Sequence, residues 1–403
     1  MSFPIPNSLI NQLHRDYDEI RQVIVKKGYK FNDLPAQTNG KNKIGEAFTI
    51  AYPIQGVLKY HGLTDSINKI AYFPSISLNN NSLFTISYLS FNEDFKKDIA
   101  YLNGKQLFGE ELLKVKAALD FIRNYSTIKT NAILISRNFS KLGESNEIGK
   151  GLGTSASGSA ALGLAALSII YDNDPIYITN QRLISIASRY LSGSGCRSAS
   201  GGFSLWLSHP QIDPLQSFAI RLDRKEHQSF IKNISLLTIP IKSEIKTTQA
   251  HIIAPKSLFF QSWLKERKHL IFEFIEALDN NNLNKIGELA EYDTLCLHAV
   301  TMTAPSNQNI IAWNPDTLKI MLKIRELRES GYNVYFSIDT GPSIVVITNQ
   351  SEKKEVYGAI KNIVPNYQLI EGKIGGPSKI LIPNSPEAKK LEKDITNLKL
   401  NLT

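Results

Sequence analysis

The run Gly149-Lys-Gly-Leu-Gly-Thr-Ser-Ala-Ser-Gly158 leads without a break into an Ala/Leu/Gly-rich stretch, Ser155 to Tyr171, that is apolar nearly all round. A helix without a polar face has to be covered on every side, so this one belongs in the middle of a domain. A glycine-rich turn therefore sits at the N-terminus of a central helix. Glycines let backbone N–H groups approach an anion, and the unpaired N–H groups of a helix start add partial positive charge. Gly153, Thr154, Ser155 and Ser157 are expected to cradle a phosphate, the last three through their hydroxyls. The run is not a Walker A loop, because no Gly-Lys-Ser/Thr ends it. Nor is it a dinucleotide fingerprint, because no apolar strand runs straight into it. Close helix packing through small residues is the alternative explanation.

At 403 residues the chain is long enough for two lobes around that helix. Residues 7 to 27 read as an amphipathic helix, with Leu9, Leu13, Tyr17, Ile20 and Ile24 on one face. Tyr29 to Lys43 reads as a linker, so residues 1–44 form an N-terminal extension. Ala47 to Leu58, Ser75 to Leu78, Ser82 to Phe91 and Asp98 to Leu102 alternate as strands, expected to be antiparallel. Helix Glu110 to Asn124 and strand Asn131 to Ser136 follow. The lobe boundary is placed near residue 230, giving units 45–230 and 231–403, the latter of α+β pattern with a polar tail.

Three further segments carry chemistry. Ser192-Gly-Ser-Gly-Cys-Arg-Ser-Ala-Ser-Gly-Gly202 sets one cation, Arg197, among small residues, where a guanidinium can bind a carboxylate or phosphate through two parallel hydrogen bonds. A flexible linker is the alternative, weakened by the strand alternation of Phe203, Leu205 and Leu207 that follows. Val334-Tyr-Phe-Ser-Ile-Asp339-Thr-Gly-Pro-Ser343 ends a strand in an aspartate, which elsewhere serves as a plain turn-former. Tyr52-Pro-Ile-Gln-Gly-Val-Leu-Lys59 delivers a lysine at a strand end; taken alone, Lys59 reads as a surface residue. His298, on an apolar helix, reads as a satisfied core histidine.

Composition narrows the function class. Lys and Arg outnumber Asp and Glu by 46 to 37, a net +9 that suits anionic ligands. The basic residues are scattered, and the densest group, Lys265, Arg267 and Lys268, reads as a solvated helix face, so no nucleic-acid partner is expected. Two cysteines exclude a disulfide framework and a paired-cysteine metal site. No signal segment or membrane span is expected, which points to a cytoplasmic protein with no membrane partner.

Together these segments resemble the decarboxylase branch of the GHMP kinase superfamily, the diphosphomevalonate decarboxylases and their archaeal relatives. Phe73-Pro-Ser-Ile-Ser-Leu78, Tyr101-Leu-Asn-Gly104, Leu297-His-Ala299 and Gly375-Gly-Pro377 extend the likeness, leaving residues 1–44 without a counterpart. The resemblance implies an α+β, two-lobed fold: an N-terminal lobe like ribosomal protein S5 and a ferredoxin-like C-terminal lobe, with the cleft between them. It implies a homodimer, a phosphorylated mevalonate as substrate, and Asp339, Lys59 and Arg197 as the catalytic set. Ser155 matches the phosphate-loop serine and Ser194 the serine at the substrate's 5-phosphate end, with Tyr60 nearby.

Departures bear on the substrate. After Lys59-Tyr60 the family usually carries Trp-Gly-Lys, whose lysine clamps a terminal diphosphate; here His61, Gly62 and Leu63 stand. An arginine expected early in the helix after Gly104 is replaced by Leu113 or Lys114. The segment Asn138 to Ile148 lacks the usual proline, and the extra N-terminal helix is expected to lie across the nucleotide cleft. These features favour the archaeal branch that takes mevalonate 3,5-bisphosphate with no cofactor and no metal. An ATP- and Mg²⁺-dependent decarboxylase of mevalonate 5-phosphate or 5-diphosphate is the alternative. From another class, a non-catalytic anion-binding protein would explain the cradle but not the catalytic set.

Overall fold

A computed structural model of the chain describes residues 5–37, 43–144, 152–245, 247–305 and 307–402. The first three positions of the Gly149–Gly158 run, and residues 145–148 before it, lie outside the described residues.

The central helix forms at Thr154–Ile170 and almost every side chain along it is buried. It lies between strands Gly45–Ala51 and Leu83–Asn92 on one side and helices Gln181–Arg189 and Gly195–Ser200 on the other. This covering is what its all-round apolarity requires. Among the described residues, one seven-stranded sheet runs in the order Lys379–Leu381, Gly45–Ala51, Leu83–Asn92, Asn131–Ser140, Ile99–Leu102, Lys105–Gln106, with Gly143–Glu144 added to the edge of Asn131–Ser140. A four-stranded sheet, Phe218–Arg221, Phe203–Leu207, Ser75–Asn79 and Ile54–Leu58, completes the N-terminal lobe.

The expected single run Ala47 to Leu58 is two strands in different sheets, parted at Tyr52-Pro53, where proline has no N–H to continue the ladder. Ile99–Leu102 is antiparallel, as expected, only towards Lys105–Gln106. It pairs parallel with Asn131–Ser140, with helix Gly109–Ser126 supplying the crossover that parallel neighbours need.

The C-terminal lobe holds an antiparallel sheet in the order Val334–Ile338, Ile344–Asn349, Ile234–Ile239, Ile370–Gly372, backed by helices Phe260–Asp279, Leu283–Met302, Pro315–Glu329 and Lys353–Ile363. Numbered along the chain the strands lie 2-3-1-4, the split βαβ order of a ferredoxin-like lobe. The tail does not stay with this lobe. Lys379–Leu381 pairs with Gly45–Ala51, and Leu391 and Leu398 pack with Ile50, Ile86 and Ile135 of the seven-stranded sheet.

One core crosses the lobe boundary, joining Ile76, Phe203 and Leu205 to Phe260, Phe274, Ile286 and Val345. The N-terminal helix, Asn7–Lys26, belongs to this core through Leu9, Leu13, Tyr17, Ile20 and Ile24, each worth about 1.5–3 kcal/mol when buried. Its polar bonds run to both lobes: Lys268 pairs with Asp16 and Glu19, Lys27 with Asp279, and His14 contacts the Pro210 carbonyl. The helix therefore braces the lobes against helix Phe260–Asp279. Among the described residues no helix is long and apolar enough to cross a membrane.

Candidate active site

Strand Ile54–Leu58 of the N-terminal lobe ends at Lys59, and strand Val334–Ile338 of the C-terminal lobe ends at Asp339. The two side chains meet across the lobe boundary, Lys59 Nζ lying 2.9 Å from Asp339 Oδ1. Lys59 is not a surface lysine: only 2% of it is exposed. Its ammonium donates to the Gly56 carbonyl at 2.7 Å, to Ser337 Oγ at 2.6 Å and to Asp339, using all three protons. Ser337 also accepts from Gln55 Nε2 at 2.8 Å and donates to the Gly56 carbonyl at 2.6 Å. Burial pulls the Lys59 pKa below its ordinary value, while the Asp339 carboxylate opposes that shift. Glycine is needed at position 56: a Cβ there would stand 2.9 Å from Asp339 Oδ1 and 3.0 Å from Lys59 Cδ.

The Lys59 backbone is held as tightly as its side chain. Its N–H donates to Asp293 Oδ2, and its carbonyl accepts from Arg267 Nη2 at 2.9 Å. Arg267 Nη1 also pairs with Asp293 at 2.6 Å, and Trp263 Nε1 donates to the other Asp293 oxygen at 2.7 Å. Arg267 is therefore no part of a solvated helix face; it is 1% exposed, on the same stripe as Trp263, Leu264, Leu270 and Ile271.

Arg197 lies in the short helix Gly195–Ser200, not in a flexible linker, and is 1% exposed. It donates to Ser75 Oγ at 3.1 Å and to Ser194 Oγ at 3.0 Å, and lies 5.9 Å from the rings of both Tyr60 and Trp206. Its Nε is buried with no partner among the described residues. Burial lowers the Arg197 pKa, and Asp339 is near enough to oppose the shift.

Gly153 caps the central helix at φ +69°, and a Cβ on it would meet the Ile54 carbonyl at 2.6 Å, so glycine alone brings the loop this close to the strand leading to Lys59. Thr154 is half-buried and Ser155 is exposed, its hydroxyl 3.5 Å from Ser192 Oγ. The two Gly/Ser-rich segments thus face each other. Ser157 departs from the expected role. It is fully buried, bonded to Thr85 Oγ1 at 2.6 Å and to the Thr154 carbonyl at 3.0 Å, because two residues along a helix turn it towards the sheet.

Three histidines stand beside this set. His298 packs against Trp313, with ring centroids 4.7 Å apart, and hydrogen-bonds the Asp339 backbone, but its Nε2 is buried without a partner among the described residues, so it is only half the satisfied core histidine expected. His61 is 3% exposed and neither ring nitrogen has a partner among the described residues. His251 accepts from the Gly62 N–H at 3.2 Å. Burial drives His298 and His251 to about 3 and His61 well below its usual value.

Of the residues singled out from the sequence, the fold brings Lys59, Asp339, Arg197, Ser194 and Tyr60 to one junction, and Ser155 faces Ser192 beside it. Sequence reasoning passed over Gly56, Ser337, Asp293, Arg267 and His251. Ser337 carried a signal, standing two residues before Asp339 on the same strand face. Asp293 and His251 carried none, since their partners lie far along the chain.

A carboxylate, a lysine and an arginine held in a largely buried junction, beside a helix N-terminus, can hold an anion and stabilise charge that develops next to it. Residues 51–219 match the diphosphomevalonate decarboxylase-like N-terminal domain. The mevalonate 3,5-bisphosphate decarboxylase of Thermoplasma acidophilum is 29% identical over 84% of this chain and 79% of its own length. The phosphomevalonate decarboxylase of Haloferax volcanii is 30% identical over 82% of this chain and 96% of its own. The fold is that of the crystal structure of mevalonate diphosphate decarboxylase from Staphylococcus aureus, with a TM-score of 0.74, 24% identity, and coverage of 84% of this chain and 98% of that one.

Proposed function

Because the chain belongs to the diphosphomevalonate decarboxylase family, we propose that it converts mevalonate 3,5-bisphosphate into isopentenyl phosphate, CO2 and phosphate without a nucleotide or metal. The relatives it resembles are decarboxylases, which makes it a carboxy-lyase. The observation that carries the chemistry is the Lys59–Asp339 pair, fixed across the lobes with Arg197 beside it.

In this reading the C3–O bond breaks and its electron pair leaves with the phosphate. Ser155 and the N–H groups following Gly153 hold that departing anion, and the Lys59 ammonium stabilises it through its charge. Asp339 faces the positive charge left at C3, and Arg197 aligns the carboxylate. The bond to the carboxylate then breaks, CO2 departs, and its electron pair closes the C2=C3 double bond. No proton is gained or lost, so no general base is required. Tyr60 and Ser194 hold the 5-phosphate end.

One observation favours a second reading. Gly153 still shapes a backbone cradle with an exposed Ser155, as an ATP-dependent decarboxylase of mevalonate 5-phosphate or 5-diphosphate would need. The reading includes a cytoplasmic homodimer; two cysteines outside any disulfide accord with a reducing compartment, and sedimentation analysis checks the assembly. The test of function is a panel of the three phosphorylated mevalonates with and without Mg-ATP, products identified by mass spectrometry. Isopentenyl phosphate from the bisphosphate alone supports the main reading. Turnover only with Mg-ATP establishes the second, and no turnover with any of them removes both.

A further inference from the structure

The helix Thr247–Ile253 of the C-terminal lobe brings His251 against the turn that follows Lys59. Its Nδ1 accepts the Gly62 N–H at 3.2 Å, and an accepting Nδ1 in a neutral imidazole leaves the proton on Nε2. The ring is neutral at physiological pH, because burial and the charges of Arg197 and Lys69 hold its pKa to about 3. His251 therefore presents one fixed N–H donor.

The surroundings define what that donor can serve. The His251 ring lies 4.2 Å from that of Tyr60, which packs edge-on against Trp206 at 4.9 Å. The Tyr60 hydroxyl lies 3.3 Å from where a Cβ on Gly193 would stand, at the Ser192-Gly193-Ser194 turn. Arg197, bonded to Ser194, is 5.9 Å from the Tyr60 ring. The His61 ring is 5.2 Å from His251, with both nitrogens buried and unpartnered among the described residues, so further hydrogen-bonding capacity stands beside the same spot. Leu63, next along the chain, brings no charge.

We propose that His251 donates its Nε2 proton to the terminal phosphoryl group of the substrate, alongside Tyr60 and Ser194, and thereby fits this subsite to an alkyl monophosphate rather than a diphosphate. The proposal rests on reading the junction as the site for a phosphorylated mevalonate, with Ser194 and Tyr60 at its 5-phosphate end. One neutral donor beside Arg197 matches the charge of a monophosphate, whereas a diphosphate would bring further charge with no added cation from the turn at residues 61–63.

The test is calorimetric binding of mevalonate 5-phosphate and of unphosphorylated mevalonate to the full chain, its His251→Phe variant and its His251→Gln variant. Phenylalanine keeps the ring packing and removes the donor; glutamine keeps an acceptor for Gly62 and a donor beyond it. The expected result is a loss of about ten- to a hundredfold in affinity for mevalonate 5-phosphate in His251→Phe, little change for mevalonate, and partial recovery in His251→Gln. Equal affinity in wild type and His251→Phe, or equal weakening for both ligands, overturns the assignment, the latter by showing a purely structural role. If His251→Phe does not fold, the glutamine variant decides: selective retention of mevalonate 5-phosphate binding supports the proposal, and selective loss of it contradicts the donor role. Wild-type protein that binds neither ligand overturns the reading of the site itself, which separates that failure from a failure of His251 alone.

Discussion

The two halves of the candidate site are built on different plans. On the lysine side every proton of the Lys59 ammonium is committed, Ser337 is saturated, and even the Lys59 backbone is gripped by Asp293 and Arg267. On the glycine-rich side Ser155 is exposed, its hydroxyl 3.5 Å from that of Ser192, and the shape comes from Gly153 packing on the strand backbone. The first half is organised before a substrate arrives; the second offers backbone and a hydroxyl that a ligand can engage. Charge stabilisation profits from groups already in place, because reorienting them during reaction would cost free energy.

The comparison breaks first at Asp293. Replacing it with alanine leaves the buried Arg267 charge unpaired and should lower stability by about 3–5 kcal/mol. Denaturant melts check this; a loss under 1 kcal/mol would mean the grip on Lys59 is dispensable. Gly56→Ala probes the same half without unfolding it. The added methyl meets only side-chain atoms, Asp339 Oδ1 and Lys59 Cδ, so the fold should persist while the displaced pair loses up to about a hundredfold in kcat. An unchanged kcat in steady-state assays would show that the pair tolerates being moved.

Much of this was legible in the sequence, and the limits have physical causes. The central helix shows itself through all-round apolarity, whereas Lys59 and Asp339, at the ends of alternating segments, alone read as a surface lysine and a turn-former and take their roles from the family resemblance. Arg267 was concealed by two basic neighbours that read as a solvated face, although its spacing from Trp263 and Ile271 puts it on the buried stripe. The grip of Asp293 on Lys59 spans 234 positions, and no local pattern encodes such a contact. The N-terminal helix was visible as amphipathic, but an apolar stripe does not say which surface covers it. The parallel pairing of Ile99–Leu102 and the return of Lys379–Leu381 to the first sheet are likewise settled by long-range packing.

Smaller effects sharpen the contrast. Because burial lowers the Lys59 pKa and its positive charge stabilises the departing phosphate, kcat/KM should fall as pH rises through that lowered value, with an alkaline limb below the ordinary 10.5. A limb at or above 10.5 in the pH profile would contradict the assigned role. On the open half, Ser155→Ala should raise KM several-fold with an unchanged melting temperature. Ser157→Ala should instead cost about 1 kcal/mol of stability with little change in KM, since its hydroxyl bonds within the fold. The reverse pattern would place Ser157, not Ser155, against the ligand.

The most direct measurement is the release of CO2 and inorganic phosphate from mevalonate 3,5-bisphosphate by wild type and Asp339→Asn protein, with EDTA present and nucleotide absent. The account predicts equal amounts of both products from wild type and a rate lower by about 10² to 10³ in Asp339→Asn. Wild-type protein that releases neither until Mg-ATP is supplied, or an Asp339→Asn variant that matches it, would contradict the account.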